Sequence, residues 1–68
     1  MDRYYVNNNA QANGDHEVHK DGCVWLNLTV SKKDLGLHYN CASAVIEAKK
    51  HYWKSNGCKT CSPSCHTT

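Results

Sequence analysis

Two stretches of this chain combine residue types and spacings that carry chemistry: His19-Lys20-Asp21-Gly22-Cys23 and, far downstream, Cys58-Lys59-Thr60-Cys61. A Cys-x2-Cys knuckle is short enough for two thiolates to reach one ion. The His-x3-Cys pair adds an imidazole and a third thiolate. Zn²⁺ accepts both donor types and holds four of them tetrahedrally, commonly as two separated pairs. The pattern therefore points to a zinc site at His19, Cys23, Cys58 and Cys61, with the stretch between the pairs forming the folded domain. Cys65 and His66 follow so closely that either is an alternative ligand in place of His19 or Cys61.

Other chemistries fit less well. A redox dithiol expects Cys-x2-Cys at a helix N-terminus in a βαβ setting, whereas this pair comes after the region that reads as the helix. His16-Glu17-Val18-His19 lacks the four-residue step of a metalloprotease helix, since Lys20 stands where the second histidine is needed. On a strand, His16 and Val18 would share one face, with Glu17 and His19 on the other. Cys41 reads as a buried core thiol, and His38 and His51 as isolated solvated or hydrogen-bonded side chains. Two rivals to a structural zinc remain. In one, zinc activates Cys65 or a ligand thiolate for alkyl transfer or redox chemistry; in the other, disulfides staple a metal-free domain.

Sixty-eight residues are expected to form a single domain, 1–68. The candidate core is Tyr5, Val18, Val24, Leu26, Leu35, Leu37, Val45, Ile46, Tyr52 and Trp53, with Trp25 also read as packed inside. So small a core needs a staple. Five cysteines are an odd number, so disulfides alone cannot use them all. The first residues do not read as a signal peptide, and no apolar run approaches the roughly 20 residues of a membrane span. The expectation is a cytoplasmic, reducing setting that favours metal over disulfides. A monomer is expected.

The elements that must position these ligands read as α+β. Residues 3–6 are aromatic and β-branched, hence a short strand. A polar loop follows, then Asn13-Gly14 as a turn and residues 15–19 as the returning strand of an N-terminal hairpin or short sheet. Residues 23–30 show no clean alternation, and residues 31–34 read as a solvated turn. Residues 35–39 lead as a strand into the clearest element, a helix over about 41–54. Asn40 caps it, and Cys41, Ala44, Val45, Ala48 and Tyr52 recur along its buried face. Gly57 reads as its positive-φ stop, just before the C-terminal knuckle.

The net charge of +2 and a pI near 8.3 are below the balance of a strongly basic nucleic-acid binder. Lys49, Lys50, Lys54 and Lys59 nevertheless line the helix and knuckle as candidate phosphate contacts. The aromatics Tyr4, Tyr39 and Trp53 are candidates to stack on bases where exposed.

From His19 to Cys61 the chain resembles the metal-binding domain of the Ada methylphosphotriester-repair protein and its relatives. The shared features are a ligand pair with x3 spacing, a short β-region, a capped helix, a glycine and Cys-x2-Cys. The resemblance implies His19, Cys23, Cys58 and Cys61 as zinc ligands. Ada itself uses four cysteines, the first of its x3 pair being also the methyl acceptor. His19 stands there in this chain, so the resemblance is to the appended, non-catalytic relatives. Tyr4-Tyr5-Val6-Asn7, residues 14–19 and the Cys65-His66-Thr67 ending also resemble a group of short uncharacterised bacterial proteins. The expectation is a non-catalytic zinc-binding module that serves as an interaction domain for a protein or nucleic-acid partner.

Overall fold

The computed structural model describes residues 1–67. The fold is α+β, built on a four-stranded sheet in the order β3-β1-β2-β4. Strand β1 (Asp2–Asn7) lies between β2 (His16–Lys20) and β3 (Lys32–His38) and is antiparallel to both, while β4 (Ser55–Gly57) runs parallel to β2 at one edge. Two helices, α1 (Val24–Asn27) and α2 (Cys41–Lys49), and a 3₁₀ turn at Pro63–Cys65 complete the chain.

The period-2 alternation of a strand sends successive side chains to opposite faces, and both faces here are covered. Tyr4, Val6, Val18 and Leu35 pack with Cys41, Ala44 and Ala48 of α2, so small residues let the helix approach one face closely. On the other face lie Cys23, Leu26 and Cys58, with Tyr5 and Cys61 partly buried against them. Val18 and His19 are therefore both buried although adjacent in sequence. The β1–β3 register slips between Tyr4 and Tyr5, leaving Leu35 as the extra residue of a β-bulge. Gly36, at φ 84°, supplies the left-handed backbone there.

Several expectations need correction. The helix ends at Lys49, with Lys50 as its C-cap, and does not continue to 54. Asn40 is its N-cap, its side chain accepting from the Ala42 amide at 3.0 Å. What stops the helix is tertiary. Tyr52 turns back to stack on His16 at 3.9 Å and donates its hydroxyl to Asn8 at 2.8 Å. The chain then enters β4, with His16 N–H bonded to the Lys54 carbonyl at 2.7 Å.

Gly57 is no helix stop. It belongs to β4 and has no positive φ, unlike Gly14, Gly22 and Gly36. Its reason for being glycine is proximity, because a Cβ there would lie 2.6 Å from the Cβ of Cys65. Residues 32–34 belong to β3 and not to a turn. Of the candidate core, Val24, Leu37, Ile46 and Trp53 are exposed, as is Trp25. A helix as short as α1 turns one apolar side chain inward, and Leu26 takes that position. Tyr4 and Val6 are core residues absent from the candidate set, while Cys41, Ala44 and Ala48 are buried as the helix periodicity implies. Among the described residues no helix is long and apolar enough to cross a membrane.

Candidate metal centre

Parallel pairing of β2 with β4 brings the two halves of the pattern together. Val18 is opposite Gly57, so the next residues along each strand, His19 and Cys58, arrive side by side. The Cys58 amide continues the ladder by donating to the Val18 carbonyl at 2.9 Å. Between His19 and Cys23 the chain makes a tight turn closed by Cys23 N–H to the Lys20 carbonyl, 3.1 Å, with Gly22 at φ 89°. On the other side, Ser62 N–H to the Cys58 carbonyl, 2.8 Å, closes the knuckle around Cys61.

As a result, one ligand atom from each of His19, Cys23, Cys58 and Cys61 lies within 4.8 Å of all the others. Such spacing is close enough for the four to hold a metal ion. His19, Cys23 and Cys58 are buried, and Cys61 is half-buried. Imidazole Nδ1 of His19 is 3.8 Å from the Cys23 sulfur and 3.9 Å from the Cys61 sulfur. Tetrahedral coordination with metal–sulfur bonds of about 2.3 Å and a metal–nitrogen bond of about 2.0 Å would place nitrogen and sulfur about 3.5 Å apart. Both nitrogen–sulfur distances therefore stand within a few tenths of an ångström of such a shell.

Electrostatics favour this use of the side chains. Burial lowers the His19 pKa against an opposing effect of Glu17, which favours the neutral imidazole whose lone pair a metal requires. Burial tends to raise the Cys23 pKa. Hydrogen bonds from the Cys61 thiol, the Trp25 and Leu26 amides at the start of α1, and Cys58 outweigh it, leaving the Cys23 pKa below its usual value. Cys61 shows the reverse. Burial first, then the Cys23 thiol, push its pKa up to about 12 despite the Lys20 amide, which donates to its sulfur at 3.3 Å. Metal binding displaces whatever protons such crowded thiols retain.

The alternative ligands lie elsewhere. Cys65 forms a disulfide with Cys41, the two Cα atoms 6.2 Å apart. It is thus neither a ligand nor a free thiol for alkyl or redox chemistry, and Cys41 is more than the buried core thiol expected. The His66 Nδ1–H donates to the Gly57 carbonyl at 3.0 Å, which fastens the tail to β4. A disulfide persists in oxidising surroundings and is rare in reducing ones, which sits uneasily with the cytoplasmic setting expected above. Cys23, Cys58 and Cys61 remain free thiols, so disulfides alone do not staple the chain. His16, Nδ1 bonded to the Asn7 carbonyl at 2.9 Å, stays on the far side of β2 from His19. His38 bridges Ser43 and the Leu35 carbonyl at 2.9 and 2.8 Å, and His51 approaches Glu47 at 3.8 Å.

The four candidate phosphate-contacting lysines are dispersed. The Lys49 ammonium is 5.9 Å from the Trp53 ring centre, Lys50 pairs with Glu47 at 3.2 Å, and Lys54 donates to the Asn13 carbonyl at 3.0 Å. Lys59 lines a cavity of about 320 Å³ with Glu17, Trp25, Cys58 and Thr60. A larger open groove, about 590 Å³, joins Lys50 to Lys32, Lys33 and His51 over Asn8 and Tyr52. Sequence reasoning placed Lys32 and Lys33 in a solvated turn. Only the β1–β3 pairing, which brings that stretch beside the end of α2, could have revealed them. It also missed the Cys41–Cys65 bond and β4, for which no local signal exists.

No family model matches this sequence, and neither a curated protein nor a solved structure matches it.

Proposed function

We propose that this chain is a non-catalytic zinc-binding module in which His19, Cys23, Cys58 and Cys61 hold one structural Zn²⁺ and organise the sheet face opposite α2. The observation that carries this reading is the mutual closeness of four buried or half-buried donors from two distant segments. Three sulfurs and one imidazole, with no oxygen donor among them, suit zinc and disfavour calcium or magnesium. Four protein donors fill a tetrahedral shell and leave no position for an activated water. The Ada-type resemblance agrees with this donor set, and His19 in place of the acceptor cysteine removes the thiolate that methyl transfer would need.

Intact-mass measurement under native conditions, before and after a chelator, tests the reading. One zinc per chain, released by the chelator, is the expected result, with two hydrogens fewer than the fully reduced mass for the Cys41–Cys65 bond. A native mass without metal from zinc-supplemented protein rejects it.

The interaction partner we propose is a nucleic acid, seated by its phosphates on the groove of Lys32, Lys33, Lys50 and His51. Three lysines neutralising about three phosphates give a slope of log affinity against log salt near −2.7 on duplex DNA. Titration of labelled duplex and single strands at low salt checks it, with Lys32→Ala and Lys33→Ala each lowering the slope by about one unit. Absence of binding by zinc-loaded protein at low salt favours a protein partner instead.

A further inference from the structure

His19 has two ring nitrogens, and the structure gives each a different neighbour. Nδ1 faces the Cys23 and Cys61 sulfurs, at 3.8 and 3.9 Å. Nε2 faces the other way, 4.0 Å from Oε1 of Glu17. The two residues are i and i+2 on β2, so strand geometry sets them on one face. The His19 side chain is 1 % exposed, whereas that of Glu17 is 26 % exposed on a flexible stem. A shift of about 1.2 Å by the Glu17 carboxylate, well within its rotamer freedom, would bring it to the usual charge-assisted hydrogen-bond length.

The other side-chain acceptors near Nε2 are neutral groups that already make local hydrogen bonds. The cavity beside His19 is also lined by Asn7 and Thr29. The Asn7 side-chain oxygen accepts the Asn9 amide at 2.9 Å, and the Thr29 hydroxyl donates to the Trp25 carbonyl at 2.9 Å. Glu17 is the one anion lining that cavity. A metal-ligating histidine normally gives its second N–H to such an acceptor, which fixes the tautomer and strengthens the ligating nitrogen.

We infer that Glu17 is the positioning residue of the metal centre: its carboxylate holds the Nε2 proton of His19, so that Nδ1 is the ligating atom. This rests on the zinc reading above and goes beyond it by naming the ligating nitrogen and the residue that selects it. Glu17 touches no metal, and its role is to orient the ring and set its basicity.

The test uses the full chain with zinc as the probe. Competition against a chromophoric chelator gives the affinity of wild type, Glu17→Gln and Glu17→Ala. Affinity should fall about 10- to 100-fold for Glu17→Ala, the order found for such outer partners. The loss should be smaller for Glu17→Gln, whose side-chain oxygen still accepts the proton. Long-range ¹H–¹⁵N spectra of zinc-loaded wild type should show the proton on Nε2 and the metal shift on Nδ1. In Glu17→Ala the Nε2 proton should exchange faster with solvent, a change that a merely structural role for Glu17 would not produce. Wild-type affinity in both variants overturns the inference while leaving the zinc reading intact, and so does a zinc-loaded wild type with its proton on Nδ1. Wild type that takes up no zinc overturns both.

Discussion

Removing the metal and reducing the disulfide should loosen opposite faces of the same sheet. On the face of the donor cluster, Leu26 is the one buried apolar side chain among the described residues besides Cys23 and Cys58, with Tyr5 partly buried. Complete burial of a leucine contributes about 1.5–3 kcal/mol, while ordering each residue of α1 and the knuckle costs about 1–2 kcal/mol in backbone entropy alone. One leucine cannot hold those segments. A structural zinc, with an apparent ~10–16 kcal/mol in small fingers, can. The α2 face has its own core of Tyr4, Val6, Val18, Leu35, Ala44 and Ala48. It is also closed by a disulfide spanning 24 residues, worth about 3.5 kcal/mol on the chain-entropy model.

A two-by-two experiment follows, with chelator and phosphine reductant added separately and together, read by ¹H–¹⁵N correlation spectra. Chelator alone should collapse the amide dispersion of residues 20–29 and 58–62 while Val6, Val18, Ala44 and Ala48 keep theirs. Reductant alone, with zinc bound, should leave the whole spectrum dispersed. Both together should unfold the chain. Undisturbed α1 and knuckle amides in the chelated, oxidised protein would show that no metal organises that face. Loss of every resonance with chelator alone would refute the independence of the two faces.

Cys41→Ala should lower the urea-unfolding free energy by about 3–4 kcal/mol, the chain-entropy cost of opening the bond, with zinc stoichiometry unchanged; loss of bound metal would contradict the ligand set. Gly57→Ala should destabilise by at least about 1–3 kcal/mol through overpacking, because the new methyl meets the Cys65 Cβ and carbonyl carbon at 2.6 and 2.8 Å; a thermal midpoint equal to wild type would show that the tail yields freely. Asp34 has its pKa lowered from 3.8 by the Gly36 amide first and by Arg3 next. The unfolded chain therefore takes up the proton first as pH falls, so the contribution of Asp34 is whole above about pH 4 and disappears as pH drops through the folded value. In Asp34→Asn, urea midpoints measured from pH 2 to 6 should lose this dependence, and an unchanged profile would refute it.

The donor pattern, the Asn40 cap and the first two strands were legible because each depends on local chemistry. A Cys-x2-Cys knuckle needs only its own spacing, an asparagine cap bonds an amide two residues on, β1 carries Tyr4-Tyr5-Val6, and the Asn13-Gly14 turn marks the return into β2. Strand β4 depends on none of these. Ser55-Asn56-Gly57 contains no β-branched or aromatic residue, and it is a strand because β2 offers a parallel edge. The same pairing cuts α2 short, since Tyr52 to Lys54 must carry the chain from the helix end to that edge. A helix read by periodicity alone runs on past Lys49 because nothing local tells it to stop.

The misreading of Gly57 shows how the donor cluster and the disulfide meet on one short strand. As a helix stop, it would only mark where the knuckle begins. As a strand residue under Cys65, it is where three constraints meet: its position opposite Val18 delivers Cys58 to His19, its carbonyl accepts the His66 ring N–H, and its missing Cβ admits the half-cystine. The Cys41–Cys65 bond then presses the tail onto β4 from the α2 side, while His19 and Cys58 face the cluster on the other. The disulfide braces one side of this three-residue strand, and a metal held by the four donors would brace the other. A segment with so little β-propensity of its own would then hold the donors in register because it is fixed from both faces.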